Sequence, residues 1–303
     1  MLGTAGCAQV VTGRAMGTTF RVLVHDGPAD LGRRAAERIA DLEQRWSRFL
    51  PGSEISGLNW SHGTTNVSAD TTRLVTAMLA GWHATGGAYD PTLVAAMVRL
   101  GYAGSRDDPA RRTDLPQSTL ARGRPDLIRV DADGGAITMP PGTALDPGGI
   151  GKGLAADLVV AELLAQGARS ALVEIGGDLA VAGTPPEGAW SIALGEPPAG
   201  QSPVRLLRGG VATSTSSRRR WSVGAHQLHH LLDPATGEPT AGDVATVTVV
   251  AGSATTAEVF TKLPFVRGAA VGLAALAAHG LAAAITATDG TTSATPAWKD
   301  FVQ

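Results

Sequence analysis

The sequence has few of the features that mark several large classes of protein. Cys7 is the one cysteine among 303 residues, so neither a disulfide framework nor a thiolate zinc cage can form within the chain. Aromatic residues make up only 4%, which disfavours a stacking platform for single-stranded nucleic acid. No apolar run reaches the roughly 20 residues that a membrane-spanning helix requires, so we expect no membrane span.

The charges are nearly balanced. Lys and Arg total 25 and Asp and Glu total 27, for a formal net charge of -2. Nucleic acids and anionic membrane surfaces attract an excess of basic residues, so neither is expected as the main partner. Hydrophobic residues make up 44% of the chain and charged residues 17%, which provides enough apolar volume for a packed core.

The N-terminus resembles a targeting segment only in part. Residues 1–7 lack the basic and apolar regions of a signal peptide, although Thr4–Cys7 resembles the end of a lipoprotein cleavage signal. We expect Cys7 to be an ordinary residue, residues 1–14 to form a loose segment, and the protein as given to be cytoplasmic. An extracytoplasmic protein is the alternative if the natural N-terminus is longer.

Hydrophobic spacing predicts helices and short strands in mixed order. Apolar residues share one helix face over residues 29–46 and 70–84, which predicts two amphipathic helices. Further helices are predicted at 153–166 and 269–278, and another begins near 254. Short apolar and β-branched segments predict strands at 18–25, 170–175, 190–194, 204–207, 210–213, 245–250 and 281–288, and a hairpin turns at 131–135. We therefore predict an α+β fold with mixed, largely antiparallel sheets flanked by helices, in a single domain over residues 1–303.

A glycine-rich segment, LDPGGIGKG at 145–153, is the most conspicuous motif. It is not a P-loop, because Asp146 and Gly153 stand where that motif needs a glycine and a hydroxyl residue. It is not a dinucleotide fingerprint, because Leu154 occupies the position of the third glycine. Bare amides at the start of a helix can still bind a phosphate. The alternative is a tight turn that packs a helix on a sheet.

A second cluster contains His226, His229, His230 and Asp233. Two histidines and a carboxylate could hold zinc, although the sequence shows no further ligand. The segment could instead be a strand that leads into a D-P-x-T-G turn. A histidine whose pKa lies near neutrality is better suited to act as a general base.

Two more clusters also leave alternatives open. Arg218–Arg220 form a basic run that is either a solvated surface or a group that neutralises a diphosphate. Glu258, Thr261 and Lys262 share one face of a predicted helix. There the glutamate and the lysine could form no more than a surface ion pair.

Taken in order, seven segments resemble the ApbE family of FAD:protein FMN transferases, and the resemblance spans nearly the whole chain. The segments are AMGTT at 15–19, SRFLPGSEIS at 47–56 with LN at 58–59, GAYDPT at 87–92, LDPGGIGKG at 145–153, EIGGD at 174–178, ATS at 212–214 and HLLDPATG at 230–237. Each segment alone is short, and the order of all seven carries the resemblance.

The resemblance implies an enzyme that binds FAD, usually with Mg²⁺. Such an enzyme moves the FMN part of FAD onto a Thr or Ser hydroxyl of an acceptor flavoprotein and releases AMP. The acceptor would carry a D-x-x-[ST]-G-A-T type motif. Cleavage of a diphosphate requires that the charge on its oxygens is neutralised, which a hard cation with oxygen ligands can do. The attacking hydroxyl also needs a base that takes its proton.

The resemblance also implies roles for particular residues. The FAD site would be lined by Met16, Phe49, Ala88, Tyr89, Asp90, Asp146, Lys152 and Leu231. His230 matches the candidate catalytic base of the family. The metal would be held by the backbone oxygen of Gly149 and by side chains at Glu258 and Thr261, with Lys262 at the next position.

Lys262 departs from the family pattern. The family usually has Asp and, four residues later, Thr or Ser at the metal, whereas this chain has Glu258 and Lys262. A protonated lysine does not bind Mg²⁺ and repels a nearby cation. Either Lys262 points away and leaves Glu258 and Thr261 on the metal, or its ammonium replaces the metal beside the diphosphate. We expect weaker metal dependence than is usual in the family.

Other functions remain as alternatives to FMN transfer. One is an FAD-binding redox protein on the same fold, and another is an FAD pyrophosphatase that releases FMN and AMP. The segment DGTTSAT at 289–295 also resembles the acceptor motif, with Ser293 in the glycine position. It is either a polar hairpin near the C-terminus or a site of self-flavinylation at Thr295.

Overall fold

The computed structural model of the chain describes residues 8–61, 63–105, 107–194, 203–224 and 226–302. Cys7, which we expect to be an ordinary residue, lies outside the described residues. Within the described ranges, no helix is both long enough and apolar enough to cross a membrane.

Strands and helices alternate irregularly along the chain. The described strands are β1 (Ala8–Ala15), β2 (Thr18–His25), β3 (Thr64–Asn66), β4 (Arg129–Asp131), β5 (Ala136–Thr138), β6 (Ser170–Ile175), β7 (Asp178–Gly183), β8 (Trp190–Ile192), β9 (Val204–Leu206), β10 (Gly209–Thr215), β11 (Arg220–Val223), β12 (His226–His229), β13 (Val244–Ala251), β14 (Ala282–Ala287) and β15 (Thr292–Ala294). The described helices are α1 (Leu31–Trp46), α2 (Glu54–Trp60), α3 (Ala69–Ala84), α4 (Val94–Arg99), α5 (Gly151–Ala165), α6 (Ala254–Phe260), α7 (Leu263–Arg267) and α8 (Ala269–Ala278), with 3₁₀ turns at Pro125–Leu127, Pro147–Gly149 and Pro296–Asp300.

One large sheet organises the fold. It contains eight strands in the order β1-β2-β6-β7-β10-β13-β14-β15, and its neighbouring strands are antiparallel. Three smaller antiparallel sheets join β3-β5-β4, β8-β9 and β11-β12. This arrangement confirms the predicted α+β class with largely antiparallel sheets. In the large sheet, three of the seven neighbouring pairs are hairpins of consecutive strands, namely β1-β2, β6-β7 and β14-β15.

The expectation of a loose segment over residues 1–14 is wrong for residues 8–14. These residues belong to β1, which pairs with β2 from Ala8 opposite His25 to Ala15 opposite Thr18. β1 lies at the edge of the sheet, and most of its side chains are exposed or half-buried. Its sequence therefore carries little hydrophobic signal, and backbone hydrogen bonds to β2 hold it in place.

Helices cover one face of the large sheet. α5 packs on β6 and β7 and also contacts α1 and α6. The stripe that the spacing predicts in α1 is buried in this layer, at Leu31, Ala35, Ile39, Leu42 and Trp46. Burial of such a stripe is the main source of stability for an amphipathic helix.

The opposite face of the sheet is covered over only part of its area. β8, β9 and the turn at Pro296–Asp300 pack there against an apolar cluster that includes Leu179, Val181 and Val211. Further along the same strands the side chains become polar, with Thr213 and Thr248 among them, and these line a cavity. The sheet therefore forms both a core layer and a wall of the cavity.

Candidate active site

A single cavity contains most of the residues that the sequence singled out. Its volume is about 1090 Å³, slightly above the roughly 300–1,000 Å³ that is typical of ligand pockets. The predicted residues that line it are Met16, Phe49, Ala88, Tyr89, Asp90, Asp146, Gly149, Lys152, His230, Leu231 and Glu258. Segments far apart in the sequence therefore meet in one place.

The glycine-rich segment forms a turn followed by the start of α5. Asp146 Oδ1 accepts a hydrogen bond of 2.9 Å from the Gly148 amide, and Asp146 Oδ2 lies 3.2 Å from Nε of buried Arg48. The 3₁₀ turn at Pro147–Gly149 then leads into α5. The first-turn amides of a helix carry partial positive charge, so the rim of the cavity here suits an anion.

Gly153 sits where two helices come very close. A Cβ on this residue would lie 2.5 Å from the carbonyl oxygen of Ala254, the first residue of α6. The Gly153 amide donates a hydrogen bond of 2.8 Å to Glu258 Oε2. The missing side chain thus brings the start of α5 against α6 and places the Glu258 carboxylate at the cavity.

A buried ion cluster forms the floor of the cavity. Lys152 Nζ forms an ion pair with Asp178 Oδ2 at 2.6 Å and donates a hydrogen bond to Glu258 Oε1. The side chains of Lys152, Asp178 and Glu258 are only 11%, 6% and 2% exposed. Burial raises the pKa of Asp178 to about 6, although the Lys152 charge opposes this shift. Burial also opposes the charge of Lys152, but Asp178 and Glu258 outweigh it and raise the pKa of Lys152.

Asp178 was not among the residues singled out for the site. It follows the Gly176–Gly177 turn between β6 and β7, where both glycines have positive φ of 63° and 93°. The EIGGD segment gave this position no chemical role. The available signal was a carboxylate placed directly after a turn that needs two glycines.

Lys262 also faces the cavity. A Cβ on Gly149 would lie 3.4 Å from Lys262 Cε and 3.1 Å from Tyr89 Cε2. Lys262 Nζ donates a hydrogen bond of 2.6 Å to the backbone oxygen of Glu258. Burial lowers the pKa of Lys262 to about 8, partly offset by the Glu258 carboxylate. Its ammonium therefore lies in the region where the resemblance places a metal ion.

Thr261 is the predicted residue that does not line the cavity. It is completely buried. Its hydroxyl donates to the backbone oxygen of Glu258 at 2.6 Å and shares a 2.6 Å hydrogen bond with Ser214 Oγ. Sequence spacing placed Thr261 and Glu258 on one helix face, but α6 ends at Phe260 and the Thr261 hydroxyl bonds to the backbone.

These residues do not fit a magnesium site as they are arranged. The Glu258 carboxylate is bonded to Lys152 and the Gly153 amide, and the Thr261 hydroxyl is also engaged. Mg²⁺ requires near-ideal octahedral oxygen ligands, and an ammonium is not a ligand. Within the described ranges, no group of three or more His, Cys, Asp or Glu residues could hold a metal ion.

Among the side chains that the structure describes, the histidine cluster offers no zinc ligand set. His229 Nε2 hydrogen-bonds the backbone oxygen of Thr240 at 3.2 Å, and its Nδ1 accepts from the Leu231 amide at 3.3 Å. The side chain of His226 lies outside the described residues. His229 therefore orients the chain at the end of β12, next to His230.

His230 directly follows β12 and lines the cavity. Its Nδ1 is buried and has no hydrogen-bond partner among the described residues. Burial, followed by the positive charges of Arg219, Lys262 and Lys152, holds the pKa of His230 well below its usual range. The imidazole is therefore neutral at physiological pH and can accept a proton.

Aromatic and cationic groups form another wall. The guanidinium of Arg48 lies 4.2 Å from the centre of the Phe49 ring and 5.2 Å from that of Tyr102. Tyr102 stacks on Trp221, with ring centres 5.2 Å apart. Phe49 and Tyr102 both line the cavity, so this wall offers flat surfaces to a planar ligand.

The Tyr89 hydroxyl and the Asp90 carboxylate differ in their hydrogen bonds. The Tyr89 hydroxyl is buried without a hydrogen-bond partner among the described residues. Asp90 Oδ1 accepts from the amide and hydroxyl of Thr92 at 2.8 and 2.6 Å, and Oδ2 accepts from Arg122 at 2.7 Å. Asp90 thus fixes the loop, whereas the Tyr89 hydroxyl makes no hydrogen bond to the described residues.

Thr295 is not available as an acceptor hydroxyl in this structure. It is only 4% exposed, and its Oγ1 donates to the Leu281 carbonyl and accepts from the Ala283 amide. The hydroxyl therefore joins the C-terminal segment to β14. The polar hairpin is the interpretation that the structure supports.

We predict that the protein incubated with FAD, without an acceptor, keeps its own mass. The reason is that the Thr295 hydroxyl is buried and bonded on both sides. Intact-mass spectrometry after denaturation is the measurement, and Thr295→Val is the control variant. A gain equal to one FMN phosphoester that disappears in that variant would contradict the prediction.

Solved structures share this fold. The ApbE protein of Thermotoga maritima superimposes with a TM-score of 0.85 at 25% identity, over 98% of this chain and 100% of that chain. The apo form of the Pseudomonas stutzeri flavinyl transferase ApbE superimposes with a TM-score of 0.84 at 28% identity, over 100% of this chain and 99% of that one. The fold is therefore that of the ApbE proteins.

Sequence comparison agrees with the fold. The ApbE family model matches residues 16–285. The FAD:protein FMN transferase of Treponema pallidum (strain Nichols) is 30% identical over 281 residues, which cover 84% of this chain and 77% of that protein. The chain therefore belongs to the ApbE family.

Proposed function

We propose that the protein transfers the FMN part of FAD to a Thr or Ser hydroxyl of an acceptor flavoprotein and releases AMP. The family relatives that match this chain are named FAD:protein FMN transferases. The observation that carries the proposal is the single cavity shared by the glycine-rich turn and His230. A diphosphate on the turn and the neutral imidazole would thus share one cavity.

We assign the remaining residues of the cavity to different parts of FAD. Flat surfaces at Phe49 and Tyr102 suit a planar ring, and the buried Tyr89 hydroxyl offers a hydrogen bond. Met16 and Leu231 supply apolar contacts. The Lys152 ammonium and the amides at the start of α5 suit phosphate oxygens. We assign Ala88, Asp90 and Asp146 to the walls of this site.

The reaction exchanges one phosphorus–oxygen bond for another. The acceptor hydroxyl oxygen attacks the phosphorus on the FMN side of the diphosphate and forms a new bond to it. The bond from that phosphorus to the bridging oxygen breaks, and AMP leaves with that oxygen. The hydroxyl proton passes to the imidazole of His230 and from there to AMP or solvent.

The proposed reaction uses no metal ion. The donors at Glu258 and Thr261 are engaged within the protein, so they do not form a ready magnesium site. The charge of Lys152 is matched by Asp178 and Glu258, so the remaining positive charge at the cavity belongs to Lys262 and to Arg218 and Arg219 in the turn before β11. Charge placed where it develops in a transition state is a large part of catalysis.

The acceptor carries the specificity of the proposed reaction. We propose a flavoprotein with a D-x-x-[ST]-G-A-T type motif whose Thr or Ser enters the cavity beside His230. The test mixes the protein, FAD and such an acceptor, and follows covalent flavin fluorescence on a denaturing gel together with released AMP. Equal amounts of AMP and covalent flavin are expected.

The same assay separates the alternative functions. AMP that appears at the same rate without acceptor would show that water is the nucleophile and that the protein is a pyrophosphatase. FAD that stays bound and intact, and that cycles with a reductant, would show a redox role. An acceptor whose motif threonine is replaced by valine is the matched control, and it should take up no flavin.

The pH dependence follows from the state of His230. Because burial and neighbouring positive charges hold the pKa of His230 well below its usual range, the imidazole stays neutral from weakly acidic to alkaline pH. We predict that kcat/KM, which reports the free enzyme, falls on the acidic side only well below the ordinary histidine pKa of about 6.5. On the alkaline side it should fall as Lys262, whose pKa is about 8, loses its charge. A loss of kcat/KM on the acidic side with a midpoint at or above the ordinary histidine value would contradict the assignment of His230.

A further inference from the structure

Two of the three lysines in the chain face the cavity. The lysines are Lys152, Lys262 and Lys299, and the first two line the cavity while Lys299 is exposed. Buried lysines are rare unless they are paired. Their concentration at one site therefore calls for a role in that site.

The two ammoniums have different partners. Lys152 is held between two carboxylates, Asp178 and Glu258. Lys262, by contrast, donates to the backbone oxygen of Glu258, and among the described residues it forms no ion pair within 4 Å with a carboxylate. An ammonium has three hydrogens to donate. Lys262 can therefore make further hydrogen bonds to an anionic ligand.

Backbone groups of the glycine-rich turn and of α6 hold the side chain of Lys262 in position. Its Cε packs near Gly149, at the end of the 3₁₀ turn, and its Nζ is bonded to the Glu258 carbonyl on α6. The ammonium thus lies between the glycine-rich turn and α6. The carboxylate of Glu258 turns away to Lys152 and the Gly153 amide. This arrangement leaves a fixed positive charge, rather than a set of oxygen ligands, beside the turn.

We propose that the ammonium of Lys262 neutralises the diphosphate of FAD in place of a divalent cation, so that FMN transfer by this protein requires no metal. The inference rests on the proposed function and specifies which group of the site neutralises the charge of the diphosphate. Lysine is a common phosphate ligand that acts as a compact point charge. It supplies one positive charge where a metal supplies two, and Arg218 and Arg219 line the same cavity.

The first test compares FMN transfer in a strong chelator with transfer in excess Mg²⁺, using purified protein, FAD and a motif-bearing acceptor. We expect the wild-type rates to be the same in both. We also expect Lys262→Met to lower the rate in chelator by roughly 10²–10³-fold, as the loss of one electrostatic group in an active site does. Lys299→Met is the matched control and should keep the wild-type rate.

The outcomes separate the inference from the proposed function. Transfer that vanishes in chelator and returns with Mg²⁺ would overturn the inference and leave the proposed function intact. A Lys262→Met rate in chelator equal to that of the wild type would also overturn it. No transfer and no AMP in either condition, with FAD and acceptor both present, would reject the proposed function and the inference together.

A second measurement does not depend on turnover. Isothermal titration calorimetry with MgCl₂ as titrant is run on the wild-type protein, alone and with FAD. We expect no saturable binding, because the candidate oxygen ligands are engaged within the protein and an ammonium lies among them. A site that binds one Mg²⁺ per chain would overturn the inference, even if Lys262→Met misfolds and the kinetic comparison fails.

Discussion

Replacement of His230 by asparagine should lower kcat for FMN transfer by roughly 10²–10⁴-fold, the usual contribution of a general base. The reason is that the acceptor hydroxyl keeps its proton when no imidazole is present to take it. Asparagine is polar and similar in size but is not a base. FAD should still bind, because the turn, the aromatic wall and the two lysines of the cavity are unchanged.

Steady-state rates of AMP release with acceptor, together with an FAD titration, separate the two effects. His83→Asn is a suitable control, because His83 is exposed on α3 and does not line the cavity. It should keep the wild-type kcat. A His230→Asn protein with wild-type kcat would remove His230 from the chemistry, whereas loss of FAD binding would make it a binding residue.

Replacement of Lys152 by methionine should lower the free energy of unfolding by about 3–5 kcal/mol at neutral pH. The substitution keeps the volume but leaves Asp178 and Glu258 as buried carboxylates without their shared cation. Lys262 does not replace it, because its hydrogen bond goes to the backbone oxygen of Glu258. Breaking a buried ion pair from one side costs more than the pair itself contributes.

The decrease in the free energy of unfolding that Lys152→Met causes should become smaller as the pH falls. Without the ammonium, the pKa of the buried carboxyls in the folded protein lies above that in the unfolded chain, so the folded state binds more protons. The destabilisation is therefore greatest above those pKa values and smaller at acidic pH. Urea unfolding at neutral and acidic pH measures this trend.

Two variants control the Lys152 experiment. Lys299→Met removes an exposed ammonium and should leave the free energy of unfolding nearly unchanged. Addition of Glu258→Gln to Lys152→Met removes one of the two stranded charges and should restore part of the stability. A Lys152→Met protein as stable as the wild type at neutral pH would show that the cluster is not held together by this ammonium.

The helices of the core could be predicted from the sequence because their apolar faces are regular. The spacing predicts α1 to within two residues of its observed bounds. α8 is predicted at its observed bounds from a run of apolar residues on all sides rather than from a period. β2 and β6 were also predicted correctly, since central strands are rich in apolar and β-branched residues. Regular burial on one face leaves a period that a single sequence displays.

The edges of the fold could not be predicted in the same way. β1, β11 and β15 are mostly exposed or half-buried, and their hydrogen bonds to neighbouring strands leave no hydrophobic pattern. Short strands such as β3 are set by pairing with distant segments, in this case β5. Pairing of this kind depends on the assembled fold rather than on local propensity.

The residues that line the site are easier to predict from the sequence than their hydrogen bonds and ion pairs. Motif positions placed His230, Lys152 and Tyr89 in one site, and all three line the cavity. The sequence could not show that Asp178 completes the Lys152 ion cluster, because its partners are brought together only by the sheet. Nor could it decide between the two orientations of Lys262, because this depends on the packing of α6 against the glycine-rich turn.

The most direct test of the account is a crystal structure of the protein with bound FAD in the presence of a chelator. The account predicts that the diphosphate lies on the turn at 148–153, with the Lys262 ammonium on its oxygens and His230 beside the phosphorus on the FMN side. A diphosphate bound away from that turn, or one whose FMN phosphorus faces away from the imidazole of His230, would contradict it.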